Sequence, residues 1–199
     1  MNSVVNTINK RRSRYALKNE LPISEDRLRS MIENIVEAMP TQMNSQSSRV
    51  VVLMGADHEK FWDITLDELQ KVTPAEFFSK TLDKVNTGFK AGYGTVLYFE
   101  DQETIESLEE SYPLYAHNFP SWSEQASGML QMTVWSALAE EGIGASLQHY
   151  TELIDDSVKA QWQIPQNWKM LGQMPFGIAV DVPGSKQGLP IESRVIFHK

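Results

Sequence analysis

The stretch from Ser121 to Gly142, SWSEQASGMLQMTVWSALAEEG, constrains the fold most. Its apolar residues Ala126, Met129, Leu130, Val134, Ala137 and Leu138 recur at helical spacing and nearly circle the axis. A helix that is apolar almost all round must be buried on most sides. It belongs at the centre of a domain or in an interface between two copies. Ser121 and Glu124 have the spacing of a capping box, and Gly142 supplies a C-terminal stop.

Shorter elements flank this helix. Leu28, Met31, Ile32, Ile35, Val36 and Met39 follow Ser24 and end at Pro40, which predicts a helix over 24–39. RVVVLM (49–54) is rich in β-branched residues and reads as a buried strand. Residues 57–72 carry a second helical pattern through Phe61, Trp62, Leu66 and Leu69, and 74–89 a third. TVLYFE (95–100) is a strand, after which Asp101 caps an acidic helix, DQETIESLEES. GASLQHY (144–150) and LGQMPFGIAV (171–180) read as two more strands. The tail 181–199 holds VPGSKQGLP, which fits no regular element, and then the strand-like RVIFH. Its apolar end needs a surface to cover it, such as one on another subunit. The expected class is α+β, a three-layer α-β-α arrangement with a mixed central sheet, in one domain spanning 1–199.

Composition excludes much. Eighteen basic residues against twenty-six acidic ones give a net charge of −8, which argues against a nucleic-acid partner. The chain has no cysteine, so disulfides, thiolate nucleophiles and cysteine-bound metals are ruled out. MNSVVNTINKRR lacks the apolar run of a signal peptide, and no stretch has the ~18 apolar residues of a membrane span. The expectation is a cytoplasmic protein with no membrane contact. GIGASL lacks the third glycine of a dinucleotide fingerprint and leads from a helix into a strand, the reverse of the required order. There is no P-loop and no G-x-S-x-G elbow. His58, His117, His149 and His198 are scattered, so no metal site is expected. No side chain stands out as catalytic, and the chemistry is assigned to a cofactor.

Two polar stretches point to that cofactor. KRRSRYAL (10–17) concentrates positive charge in an acidic chain. Arginines bind phosphate through charge-assisted, often bidentate, hydrogen bonds. PTQMNSQSSR (40–49) is rich in amides and hydroxyls and uncharged until Arg49. Amides both donate and accept, which suits a heterocycle edged with C=O and N–H groups. Phosphate at one end and such a ring at the other describe a mononucleotide-like ligand.

These two stretches, with FPSWSEQASGMLQMTVWSALAEEGIGASLQHY, IPQNWKMLGQMPFG and the late Arg194, resemble the nitroreductase family of FMN enzymes. The likeness covers nearly the whole chain. It is nearest to the copper-induced bacterial nitroreductases and the fungal fatty-acid-repression-type proteins. It implies a mainly antiparallel sheet and a domain-sharing homodimer whose tail reaches the partner. It implies that Arg11, Arg12 and Ser13 hold the FMN phosphate and ribityl chain, with Arg194 as a second arm and Lys186 nearby. Asn44, Gln46 and Ser47 would line the flavin ring, with 40–43 reaching it from the other subunit. The segment Gln148-His149-Tyr150 would bring a backbone N–H near flavin N5. Tyr15 stands where many members carry a lysine, and Ser48 near the place of a usual tryptophan. Phe119 and Trp122 are the candidate walls of an acceptor pocket. The implied reaction is ping-pong transfer of two electrons from NADH or NADPH to small aromatic acceptors, nitroaromatics or quinones. The alternative is a flavin-binding regulatory or stress-response protein of the same fold, with incidental reductase activity.

Overall fold

The computed structural model describes residues 2–198. In chain order the elements are α1 (Ser3–Lys10), β1 (Leu17–Lys18), α2 (Glu25–Ala38), β2 (Ser48–Met54), α3 (Ala56–Val72) and α4 (Ala75–Lys84). There follow β3 (Gly94–Asp101), α5 (Gln102–Ser111), α6 (Phe119–Glu140), β4 (Gly144–Ala145), α7 (Thr151–Trp162) and β5 (Trp168–Ala179). The sheet runs β1-β5-β3-β2, with β4 also on β5. Every strand pair is antiparallel, and the parallel component is one isolated bridge, Ser13 to Ala145.

Helices cover both faces of the sheet, so β3 is buried along its whole length. Its side chains alternate, as the period of a strand requires. Leu97 and Phe99 pack with Phe61, Trp62 and Ile64 of α3 and Ile154 and Val158 of α7. Val96 and Tyr98 pack with Leu28 and Ile32 of α2 and Leu130, Val134 and Leu138 of α6. This is the expected three-layer architecture. In the first core His58 is fully buried. Its Nε2 lies 3.1 Å from the Lys90 carbonyl, which can only accept, so Nε2 carries the hydrogen. Nδ1 then accepts from Thr95 Oγ1 at 2.9 Å, and that hydroxyl accepts from Trp62 Nε1 at 3.0 Å. Burial holds the His58 pKa below its ordinary value.

Several expectations are corrected. α6 begins at Phe119, two residues before the capping box, because Pro120 fits the first turn, where no N–H is needed. Ser121 instead accepts from the Gln125 side chain. Burial in α6 follows one face, through Ser123, Ala126, Ser127, Leu130, Gln131, Val134 and Leu138, whereas Met129 is 47% exposed. The helix does end at Gly142. With φ 77°, that residue donates to the Ala139 carbonyl while Ile143 donates to Leu138, a Schellman closure. The strand expected over 144–150 shrinks to β4 plus a bridge between Gln148 and Gln173. The helix expected over 74–89 becomes α4 followed by a wider turn over Val85–Lys90. RVIFH forms no strand among the described residues. A short turn at Ile191–Ser193 precedes it, and Ile196 and Phe197 stand 76% and 86% exposed.

Candidate functional site

The packing sorts the four cations of KRRSR. Lys10 Nζ pairs with Glu140 Oε2 at 2.9 Å on the surface. Arg14 Nε pairs with Asp181 Oδ1 at 2.9 Å, and the Tyr15 N–H also meets that carboxylate. Arg11 and Arg12 pair with no carboxylate among the described residues. Arg12 Nη2 donates to the neutral Gly184 carbonyl at 2.7 Å. The Arg11 guanidinium lies 4.2 Å from the Trp135 ring centroid, a cation–π arrangement, with its buried Nε unpartnered. Burial, and then the neighbouring Arg12 charge, hold the Arg11 pKa below its ordinary value. Two half-buried guanidiniums thus stand side by side in an acidic protein, with no carboxylate partner among the described residues.

The backbone is fixed here. The Arg14 N–H donates to the Ala145 carbonyl at 2.9 Å, and Trp135 Nε1 donates to the same oxygen at 3.2 Å. Close approach requires Gly144. A side-chain carbon there would lie 2.5 Å from Ala179 Cβ and 3.2 Å from Arg14 Cβ. Ser13 is half-buried beside these groups, and Tyr15 is exposed.

Beyond β4 the chain reaches Gln148, His149 and Tyr150. The Gln148 N–H donates to the Gln173 carbonyl at 2.7 Å, and the Tyr150 N–H donates to Gln173 Oε1 at 2.8 Å. Between them, the exposed His149 has the one N–H of the three with no protein acceptor among the described residues. His149 lines a cavity of about 450 Å³ with Glu124, Gln131, Glu152 and Lys169.

The amide loop stands elsewhere. Met43, Asn44 and Gln46 all have φ near 50°. Asn44 and Gln46 are exposed and line a cavity of about 930 Å³ with Thr41, Arg49, Trp168, apolar residues of β2, and both apolar (Leu28, Ile32, Val36) and charged (Glu25, Asp26, Arg29, Glu33, Glu37) residues of α2. Ser47 does not line it. That residue is fully buried, and its hydroxyl meets Ser45 Oγ at 3.2 Å. Beneath the loop lies the buried Glu100, which accepts from Ser48 Oγ at 2.5 Å. Burial pushes its carboxyl above the usual range, while the Ser47 and Ser48 hydroxyls pull it back.

One chain does not bring the two stretches together. The basic segment bridges to β4, at one edge of the sheet beside β5, and the amide loop leads into β2 at the opposite edge, beyond β5 and β3. Three strand spacings, about 14 Å, separate those edges. Lys186 and Arg194 lie in the exposed tail, and the Arg194 guanidinium makes no bond among the described residues. Phe119 is not available as a wall: it is fully buried, edge-on to Trp122 at 5.4 Å and 6.2 Å from the Tyr112 ring. Trp122 is half-buried and faces Tyr115 at 6.4 Å. Two residues not singled out from the sequence join the loop. The Gln42 amide is buried with neither atom partnered, and Arg49 braces the backbone. The position of Arg49, as the first charge after an uncharged run, is the one sequence signal that marks it.

Comparison with known proteins gives a consistent result. The pattern of the Nitroreductase family matches residues 8–178. The chain is 34% identical over 182 residues to the putative nitroreductase HBN1 of Saccharomyces cerevisiae, covering 90% of each protein. It is 39% identical to the nitroreductase CinD of Lactococcus lactis, solved with chloramphenicol and with 4-nitrophenol. That similarity covers 99% of this chain and 100% of CinD, with a TM-score of 0.90. A nitroreductase from Desulfitobacterium hafniense with bound FMN shares the fold at 17% identity, with full coverage of both chains and a TM-score of 0.72.

Proposed function

The chain belongs to the nitroreductase family, and on that premise we propose that it is an FMN-dependent oxidoreductase. It would take electrons from NADH or NADPH and pass them to small aromatic acceptors, nitroaromatics or quinones. One observation carries this reading: Arg11 and Arg12 are adjacent guanidiniums with no carboxylate partner among the described residues, in a chain of net charge −8. The residues fit the cofactor. The unpartnered Arg11 Nε suits a phosphate and the buried unpartnered Gln42 amide suits a hydrogen-bonding ring, and the His149 backbone N–H meets no backbone acceptor among the described residues.

Bound FMN supplies hydride and electron transfer that no side chain of this protein offers. Arg11, Arg12 and Ser13 hold its phosphate end, with Arg194 and Lys186 brought up by the tail. Asn44 and Gln46 hold ring edges, and Ser47 supports them from inside the loop. His149 offers its N–H to the ring, Tyr15 flanks the site, and Trp122 remains the candidate acceptor wall. Asn44 and Gln46 act from a second copy. The separation of the two stretches supports that assignment, as do the open face of α6 at Met129, the free edge of β2 and the exposed apolar tail. On this reading the 1–199 domain is half of a homodimer.

Reductant and acceptor use one place in turn, which is ping-pong exchange. Steady-state rates with NADH or NADPH and a quinone, varied together, should give parallel double-reciprocal plots. Intersecting plots would reject the exchange.

A further inference from the structure

The amide loop is held in an unfavourable backbone shape by the side chains of Thr41 and Arg49. Left-handed φ is costly for residues other than glycine, so Met43, Asn44 and Gln46 keep it only where neighbours over-determine it. Thr41 supplies part of the hold. Its Oγ1 accepts the Gln46 N–H at 2.9 Å, and its carbonyl accepts the Asn44 N–H at 3.1 Å. Arg49 supplies the rest. Nη1 donates to the Gln46 carbonyl at 2.6 Å and to the Ser48 carbonyl at 3.2 Å, and Nη2 donates to Asp101 Oδ2 at 2.7 Å.

Asp101 is itself anchored. Asn167 Nδ2 donates to its Oδ1 at 2.7 Å, Thr104 Oγ1 donates to Oδ2 at 3.1 Å, and its own N–H donates to the Ser47 carbonyl at 3.0 Å. The guanidinium also stands 5.6 Å from the Trp168 ring centroid. A planar fork can bond a carboxylate on one side and a loop carbonyl on the other; an ammonium, as a point charge, cannot match both. Three of the five Arg49 N–H donors bond protein acceptors, and its side chain borders the same cavity as Asn44 and Gln46.

We propose that Arg49 is a positioning residue. It fixes the Gln46 backbone, and through it the exposed amides of Asn44 and Gln46, in the orientation that grips the ring edge of the cofactor. The role at the ring rests on the flavin reading above; the hold on the loop does not.

Two measurements separate these parts. In the ligand-free protein, Arg49→Ala should speed hydrogen exchange at the Asn44 and Gln46 amides by about tenfold or more, the scale of one lost charge-assisted bond. The amides of β2 at 50–54 should keep their protection. In apoprotein titrations, Arg49→Ala should weaken FMN and riboflavin by the same factor, roughly tenfold or more. Arg49→Lys should fall between. Combined with Gln46→Ala, the loss should be smaller than the product of the single losses, because the two changes cut one linkage. Should Arg49→Ala fail to fold, Arg49→Lys and Asp101→Asn carry the same comparisons.

Unchanged exchange at Asn44 and Gln46 would overturn the hold on the loop. Unchanged riboflavin affinity in a folded variant, or fully multiplicative losses, would overturn the positioning of the ring. A wild-type apoprotein that binds neither ligand would overturn the flavin reading and the role at the ring together. The exchange result would still decide what Arg49 does to the loop.

Discussion

Arg12→Ala should weaken FMN binding by roughly ten- to more than a hundredfold, and riboflavin binding far less. A hydrogen bond to a charged group is worth about 1.5–3 kcal/mol, and each 1.4 kcal/mol is about tenfold in dissociation constant. Among the described residues Arg12 donates only to the neutral carbonyl of Gly184, which leaves its charge for a phosphate. Riboflavin lacks the phosphate and serves as the control, because Arg12→Ala also frees the tail at Gly184. Ser13→Ala, which removes one neutral bond, should fall between wild type and Arg12→Ala. Lys10→Ala should change neither affinity, since Lys10 spends its charge on Glu140 at the surface. Titration of apoprotein with both ligands gives all of these values. Equal losses for FMN and riboflavin in Arg12→Ala would show that the arginine serves the tail or the ring and holds no phosphate.

Trp62→Ala should destabilise the protein by about 3–5 kcal/mol, the usual cost of emptying a fully buried aromatic site. The indole is edge-on to Phe61 at 5.0 Å and to Tyr150 at 6.1 Å, and lies 4.9 Å from Phe89. Its Nε1–H also serves the Thr95 hydroxyl that orders His58. Trp62→Phe should recover most of the loss, leaving that hydroxyl one donor short. Tyr150 follows His149 directly, so the cluster also backs the segment that, on the proposed reading, would offer its N–H to the ligand. Urea unfolding at one fixed protein concentration measures the change, since assembly makes apparent stability concentration-dependent. A loss below about 1 kcal/mol would contradict this packing.

Local pattern carried most of the fold. The helix over 24–39 and the strands at 49–54 and 95–100 were legible because apolar spacing and punctuation agree there. α7 was not legible, since Ile154 and Val158 are the only apolar residues buried along it and acidic residues separate them. α6 was legible as a helix but not in its burial. An apolar circumference looks the same whether its outer face meets the same chain or another one, and here Met129 is left open. RVIFH has strand composition, yet it pairs with no strand among the described residues.

The site divides in the same way. Charge density marked 10–14, but which charges are free depends on Glu140 and Asp181, 130 and 167 residues away. Uncharged composition marked 40–48, yet the brace on its backbone runs from Arg49 to Asp101, a pair joined by strand register. Phe119 was misread because an aromatic before a helix start has the same local pattern in a core as in a pocket wall.

Light scattering joined to absorbance, on freshly purified protein, tests the flavoenzyme reading most directly. The expected peak has the mass of two chains, carries flavin bands, and releases FMN on denaturation. A colourless protein, release of FAD, or a flavin-loaded single chain would contradict it.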